Sequence, residues 1–539
     1  MQNSMLANVL GAYLDSVKER DFDLPLNTLL RALGFYDIHF THGNVEFGKD
    51  FIAKHVENGI AIQYSFQSKA GDVSESGWRD DIMQQTLESL LSGLSHPSFD
   101  KGAPRQTVLV ITGKMLGNAA LGLQELNETI KQKYQHRPIL VWDRENLIQL
   151  LETHGLGSIY QTNASGFLKY GNFYQLYGKS LEGNISQHEI EDHSRQWLDD
   201  AIPPDKRLLC SAIESNVFAA QCQAKGLVYE AITSHLTLIR TIMHQIYTTT
   251  DHTDIEQLRE VYSLAISNLK EILRQYLAEF KTLWDQSDNN LCSIIPGSNS
   301  IIMYSIHCTR IMEVAGILYF LEAERAERDA VLSFLVSFIS QEPGCAHIPS
   351  DYYAISLVLP VLSLCASGHR DIAEGFLQRS TVWLCDRYQS GFGFADISAD
   401  PYDEIATLFG YSFDFIKIHP RKSSFTASVV CDLAIFVANA KLYTDIVNDI
   451  KAAKIIPQYW QIPDTKSLFV LDGEDIINYP NVGYIDDYIP FESFTFAEHI
   501  KHEPHSFSII DHTQPIGLLL MMLLLRDRYF PTLWPLLTK

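Results

Sequence analysis

From Glu46 to Asp72 the chain reads EFGKDFIAKHVENGIAIQYSFQSKAGD. One extended stretch carries a carboxylate, Asp50, and the next carries an amide and an amine, Gln67 and Lys69. Oxygen donors beside an amine suit a hard divalent cation and a phosphate. The chemistry such an order suits is metal-dependent hydrolysis of a phosphodiester. It requires the two stretches to lie side by side, so the elements that position them come next.

Tyr36 to Phe40, Phe47 to His55 and Ile60 to Lys69 are short, aromatic and β-branched, and are separated by His42-Gly43-Asn44 and Glu57-Asn58-Gly59. Asn58-Gly59 is a strong hairpin signal. In the third stretch Ile60, Ile62, Tyr64 and Phe66 alternate with Ala61, Gln63, Ser65 and Gln67. A period of two places the first set on a buried face and points Gln67 and Lys69 the same way on the other. Before these strands, Ser4 to Gly34 reads as helix with a break over Asp21 to Pro25, the second run ending at Gly34. After them come a helix from Trp78 to Leu94, the apolar strand Thr107 to Thr112, a helix from Asn118 to Tyr134, the strand Pro138 to Trp142 and a helix from Arg144 to His154. The order predicts an α/β domain over residues 1–160, with a mixed sheet flanked by helices. The hairpin is antiparallel and the later strands are parallel by crossover.

The run G-x-x-E-F-G-K-D-F, followed by Q-x-K-A-G-D, resembles the Mrr-like branch of the PD-(D/E)xK restriction-endonuclease-like nucleases, in which Gln replaces the acidic residue of the second half-motif. The resemblance covers residues 25–155, less than a third of the chain. It implies a restriction-endonuclease-like fold and a Mg2+ (or Mn2+) ion held by Asp50, Gln67 and the backbone carbonyl of Ser68. Lys69 is then the catalytic lysine, orienting water or stabilising charge on the phosphate. Glu46 adds to the site or stands behind it, and Glu19 and Gln85 on flanking helices are further metal or phosphate contacts. Gln67 brings one negative charge fewer than Asp or Glu would, which weakens the hold on metal.

The rest of the chain has a different texture. Residues 161–204, with Gly166, Gly171, Gly178 and Gly183, read as a connector, and His188 and His193 lie among solvated charges rather than on one helix face. Residues 205–539 read as a large all-α region, a helical hairpin array or α-solenoid, with a small irregular insert near 468–496 that contains Asp472, Asp475, Asp486 and Asp487. Thr253-Asp-Ile-Glu256 has the form of a capping box, and Leu258, Tyr262, Ala265, Leu269, Ile272 and Tyr276 follow at helical spacing. Gly391 to Asp396 is glycine-rich but lacks the Lys-Ser/Thr of a phosphate loop.

The net charge of -23 over 539 residues excludes a global basic footprint for nucleic acid, so a nuclease built on this chain needs a local groove, a metal or an assembly step. All eight cysteines fall after residue 200 without a CxxC pair, as expected of buried thiols in a reducing compartment. The N-terminus lacks the pattern of a signal peptide. The apolar run from Ile516 to Leu525 is too short to span a bilayer and reads as a buried helix. The expectation is a cytoplasmic, metal-dependent endonuclease, with DNA as its nucleic-acid partner and no membrane partner. Its helical region would sense, or assemble through homo-oligomers or a protein partner, in prokaryotic defence by analogy with the family. The alternatives are an inactive nuclease-like scaffold with an α-solenoid protein-binding region, and an RNA or tRNA nuclease.

Overall fold

The computed structural model describes residues 5–41, 49–94, 96–100, 102–157, 164–287, 291, 300–395, 401–409, 422–460, 482–484 and 516–526. The chain divides into two compact units, Met1–Leu269 and Lys270–Lys539.

In the first unit, α1 (Met5–Ser16) and α2 (Glu19–Ala32) precede a five-stranded sheet of β1 (Tyr36–Phe40), β2 (Phe51–Glu57), β3 (Ile60–Lys69), β4 (Arg105–Ile111) and β5 (Leu140–Trp142). The spatial order is β1-β2-β3-β4-β5. β1, β2 and β3 pair antiparallel, and β3-β4 and β4-β5 pair parallel. The predicted mixed sheet is therefore present, and both terminal residues of β1 and of β3 fall where the sequence placed them. Glu57 pairs with Ile60 across a two-residue turn in which Asn58 and Gly59 have φ of 51° and 82°. Positive φ at both central positions is what an Asn-Gly turn supplies, and it matches the twist of the strands.

A helical turn at Glu75–Gly77 and a π-helical turn at Trp78–Ile82 lead into α3 (Met83–Leu91), while α4 (Ala119–Thr129) crosses over between β4 and β5. Trp78, Ile82, Leu90, Leu123 and Ile130 from this layer pack on Leu109 and Ile111 of β4. On the opposite face Phe35, Tyr64, Phe66 and Trp142 form an aromatic cluster with centroids 4.9–6.4 Å apart. Both faces of β3 are buried from Ile62 to Ser68. The polar face is thus covered as well, and the Ser65 hydroxyl on it meets Thr107 at 3.1 Å and Ser89 at 3.2 Å, while Gln63 Oε1 is buried without a partner.

Several boundaries differ from the sequence reading. The break before the sheet lies at Val17-Lys18, and Asp21 to Pro25 are inside α2. Acidic Glu19 and Asp21 favour a helix start there through the dipole, and the buried face from Phe22 to Leu30 outweighs the one hydrogen bond that Pro25 cannot donate. The glycine-rich connector is also helical: α5 (Arg144–His154) is followed by α6 (Ala164–Glu182) and α7 (Gln187–Ser194). Burial of Phe173, Leu176 and Tyr177 at helical spacing overrides the low propensity of Gly171 and Gly178. α8 (Pro204–Ala224) and α9 (Val228–Thr248) complete this layer, and α10 (His252–Gln286) runs across the division of the chain. Asp251, not Thr253, caps α10, accepting from Thr253 N at 2.8 Å.

Of the charged groups read as solvated around His193, His188 and Asp192 are exposed, but Glu191 and the His193 side chain are buried. His193 bonds Glu214 at 3.0 Å, Glu214 accepts from Trp197 at 2.7 Å, and Arg240 pairs with Glu191 at 2.6 Å.

The second unit is mostly helical. α11 (Ser300–Leu321), α12 (Arg325–Gln341), α13 (Val358–Ala366), α14 (Arg370–Gln389), α15 (Pro401–Phe409), α16 (Phe425–Val437) and α17 (Ala440–Ala452) follow one another. Asn439 caps α17 through Leu442 N at 3.0 Å and Ala438 turns at φ 62°, so α16 and α17 are separate helices. β6 (Ser423–Ser424), β7 (Ile456–Trp460) and β8 (Val482–Tyr484) form a small sheet; the rest of the irregular insert, with its four aspartates, lies outside the described residues. α18 (Ile516–Leu525) is buried along most of its length, and its flanking Arg526 pairs with Glu313 at 3.0 Å. Gly391 to Ala395 form a loop after a helix, not after a strand. Among the described residues no helix is long and apolar enough to cross a membrane, and the seven described cysteines are free.

The hairpin sets the register of β2 on β3, so its turn is a test of the fold. Gly59→Ala places a side chain at φ 82° and is expected to cost about 1–2 kcal/mol, read as a lower urea midpoint. Asn58→Gly leaves the midpoint unchanged. Equal midpoints for Gly59→Ala and wild type would show that this turn does not constrain the sheet.

Candidate functional site

The backbone of Asp50 is held between two strands: its N–H donates to Phe66 O at 2.8 Å and its carbonyl accepts from Thr41 N at 2.9 Å. The side chain then meets the end of β3, where Oδ2 accepts from the Ser68 N–H at 2.7 Å and lies 3.4 Å from the Ser68 hydroxyl. Lys69 is fixed one residue on, because its carbonyl accepts from Thr112 N at 3.0 Å at the end of β4. Its ammonium reaches Glu19 Oε1 of α2 at 3.4 Å.

One turn along α2 from Glu19 stands Asp23, only 3% exposed. Its Oδ1 is buried with no hydrogen-bond partner. Burial and the charge of Asp50 push its carboxyl from the ordinary 3.8 up to about 7, against the pull of Arg20 and of the Ser68 side chain. Asp50 is also raised, first by burial and then by Glu19, opposed by the Ser68 N–H, Lys69 and Arg20. Each carboxyl therefore makes the other harder to ionise.

Of the residues singled out from the sequence, Asp50, Lys69 and Glu19 come together here. Gln67 is 2% exposed and engages α3: its amide N–H donates to Gln85 Oε1 at 2.8 Å, and its Oε1 accepts from Thr86 at 2.7 Å. Gln85 is held in turn by Asp81 at 2.5 Å. Ser68 pairs with Val110 in the parallel register and places its N–H on Asp50. Glu46 lies outside the described residues. Lys49, beside Asp50 in sequence, turns to the other layer, where its ammonium meets the Ser92 hydroxyl at the C-terminus of α3. Burial, and then Arg105, lower it to about 8.

Asp23 is the residue the sequence reading missed. Its signal was present as the Glu19-x-x-x-Asp23 spacing, which puts two carboxylates on one helix face. A break placed over Asp21 to Pro25 removes Asp23 from that helix and hides the pair.

The donors fit a hard divalent cation. Asp50 and Asp23 bring carboxylate oxygens, one of them buried and unpartnered, to the side of α2 that also carries the Glu19–Lys69 ion pair. The oxygens of Asp23, Asp50 and Glu19 do not all lie within 4.8 Å of one another, so a shared ion would draw them together. Family models, curated proteins and solved structures were compared with the chain, and none of them matches it.

The raised carboxyl of Asp23 has a definite pH signature in metal-free buffer. Between about pH 4 and pH 7 the unfolded chain has released a proton that the folded chain keeps, so stability falls as pH rises. The loss, on the order of 4 kcal/mol, is complete above the folded pKa. Asp23→Asn removes the titration. The variant and wild type should differ least near pH 4, with the variant gaining relative stability up to pH 8 in urea unfolding with chelator. A pH-independent difference would show that Asp23 is not held as a buried acid.

Proposed function

We propose that the chain is a divalent-metal-dependent nuclease of restriction-endonuclease-like fold, with its working site at Asp50, Asp23, Glu19 and Lys69. The observation that carries this reading is the placing of Asp50 on the Ser68 N–H next to the Lys69–Glu19 ion pair at the end of β3, with the buried, unpartnered Asp23 oxygen on the same helix as Glu19. The five-stranded sheet, with its antiparallel hairpin and parallel crossovers, supports it. Asp50, Asp23 and Glu19 would hold Mg2+ or Mn2+, with the Ser68 carbonyl as a further donor. Such an ion, when bound, polarises a phosphate and lowers the pKa of a water.

The protein's own groups do the rest. The Ser68 N–H orients Asp50, and Glu19 restrains the Lys69 ammonium so that it neutralises charge growing on the scissile phosphate. Arg20, close enough to lower the pKa of both aspartates, adds positive charge on the same side. Gln67 acts as a neutral strut to α3 that leaves Ser68 and Lys69 in register. Nucleic acid is the substrate class, DNA first. The helical second unit, read as a solenoid-like array, recruits a partner or further copies and switches the site on, in a cytoplasmic defence role.

One observation favours a second reading. Both ends of the Gln67 amide are already bonded to α3, as they would be in a nuclease-like scaffold that has lost metal and serves the helical region as a protein-binding module.

A nuclease assay with Mg2+ or Mn2+ on plasmid DNA and labelled total RNA separates the readings. Wild type is expected to cut one of them, while Lys69→Ala and Asp50→Asn lose about 100-fold or more and Asp23→Asn falls with them. An RNA substrate would replace the DNA reading. No cleavage of either polymer, together with a cellular phenotype indifferent to Lys69→Ala, overturns the nuclease and leaves the scaffold.

A further inference from the structure

A second group of chemistry-bearing side chains meets on the edge strand of the sheet, apart from the carboxyls around Ser68. Asp37 and His39 stand two residues apart on β1, and His96 comes from the turn after α3. One donor atom from each lies within 4.8 Å of the other two. His39 Nε2 is 2.7 Å from Asp37 Oδ1, and its Nδ1 is 3.0 Å from Glu260 Oε1 on α10. The His39 and His96 rings stack with centroids 3.8 Å apart, and His96 Nδ1 is 2.7 Å from the Ser98 hydroxyl.

The surroundings hold this group in place. Asp37 sits at an irregularity in the β1-β2 register with φ of 52°. Lys54 of β2 bonds the other oxygen of Asp37 at 2.7 Å and the Ser98 carbonyl at 2.6 Å, so it binds the β1 carboxylate to the turn that carries His96. The Lys54 ammonium also lies 4.9 Å from the centre of the Phe99 ring.

We propose that Asp37, His39 and His96 form a binding site for a borderline divalent transition metal of the zinc type, with Glu260 as the carboxylate that orients His39. Imidazole nitrogens select zinc, cobalt or nickel over magnesium and calcium. A carboxylate on the far nitrogen of a ligating histidine fixes its tautomer and strengthens it as a donor. Glu260 stands where that role needs it, leaving Nε2 to face Asp37 Oδ1. The ion takes the place of the proton between those two atoms. Zinc–ligand bonds of about 2.0–2.1 Å at tetrahedral angles set the donors about 3.3 Å apart, so binding requires His39 and Asp37 to open slightly and His96 to approach by about 1 Å. Three protein ligands leave a fourth position for water or an anion, and Lys54 keeps its bond to the second oxygen of Asp37. The bound ion would join β1, the turn after α3 and, through Glu260, α10. The site differs in metal class from the carboxyl group around Asp50 and stands or falls separately from it.

The test uses the untagged full chain, stripped with chelator and desalted. It is dialysed against Zn2+ for metal analysis and titrated with Co2+ for visible absorption. Wild type is expected to bind one equivalent of zinc more than either His39→Ala or His96→Gln, to show cobalt bands that both variants lack, and to unfold at a higher temperature with zinc. Asp50→Asn keeps all three responses, which separates this site from the other. His96 is on an exposed turn, so if His39→Ala fails to fold, His96→Gln decides alone. Equal zinc uptake by wild type and a folded His96→Gln, or no uptake by wild type at neutral pH, overturns the proposal.

Discussion

Helix α2 is covered on both sides, and the candidate site depends on that constraint. Every residue from Phe22 to Leu30 is buried, with the helix packed between α8 and the sheet. Arg31 at its far end is held by Asp205 at 3.3 Å and Gln257 at 3.2 Å. The helix cannot slide or turn without exposing Phe22, Leu24, Leu26, Leu29 or Leu30, each stabilised by about 1.5–3 kcal/mol of burial. Together these outweigh a penalty on the order of 4 kcal/mol for burying the Asp23 carboxyl against Asp50. The apolar face of α2 thus forces an unfavourable electrostatic arrangement that the polar residues alone would not adopt. Strain of this kind, sustained by packing elsewhere, is typical of sites shaped for a ligand.

How much of this could be read in advance followed from the range of the interaction involved. The hairpin was legible because its determinants are local: Asn58-Gly59 fixes the turn, and the period of two fixes the register. The parallel strands β4 and β5 were legible as short apolar runs between helical ones. Asp50, Lys69 and Glu19 were legible as residue types, and their meeting follows from the strand order. Asp23 was not, because the reading gave Pro25 its usual weight as a helix breaker, whereas burial on two sides decides the matter. The same holds for α6, where Phe173 against Phe218 carries two glycines through a helix. The buried pairs Arg240 with Glu191 and His193 with Glu214 join residues far apart in the chain, which no local window contains.

The polar face of β3 shows how one strand serves two purposes. Ser65 and Gln67 are consumed by hydrogen bonds to Ser89, Gln85 and Thr86 of α3, which satisfies groups whose burial would otherwise cost about 1–3 kcal/mol each. Only at Ser68 and Lys69, where β3 ends, does the strand turn its polar groups to Asp50 and Glu19. A carboxylate at position 67 would place another negative charge beside Asp50 in a region that already raises two acids. The neutral amide avoids this, and on the proposed metal reading the holding of a cation would fall to α2 rather than to the strand.

The overall charge bears on the same point. With a net charge of -23 and the carboxyls of Asp50, Asp23 and Glu19 on one side of Lys69, the bare site repels a polyanion. At a Debye length of about 8 Å under physiological salt, distant surface charges matter less than groups in contact. The balance is therefore set locally, by Lys69, by Arg20 and by whatever cation the carboxyls hold. A divalent ion held there would relieve the repulsion between Asp23 and Asp50 and also reverse the sign of the field that a phosphate meets. Because the same ion would do both, the metal reading makes occupancy of this site by a cation the natural point at which it would be switched.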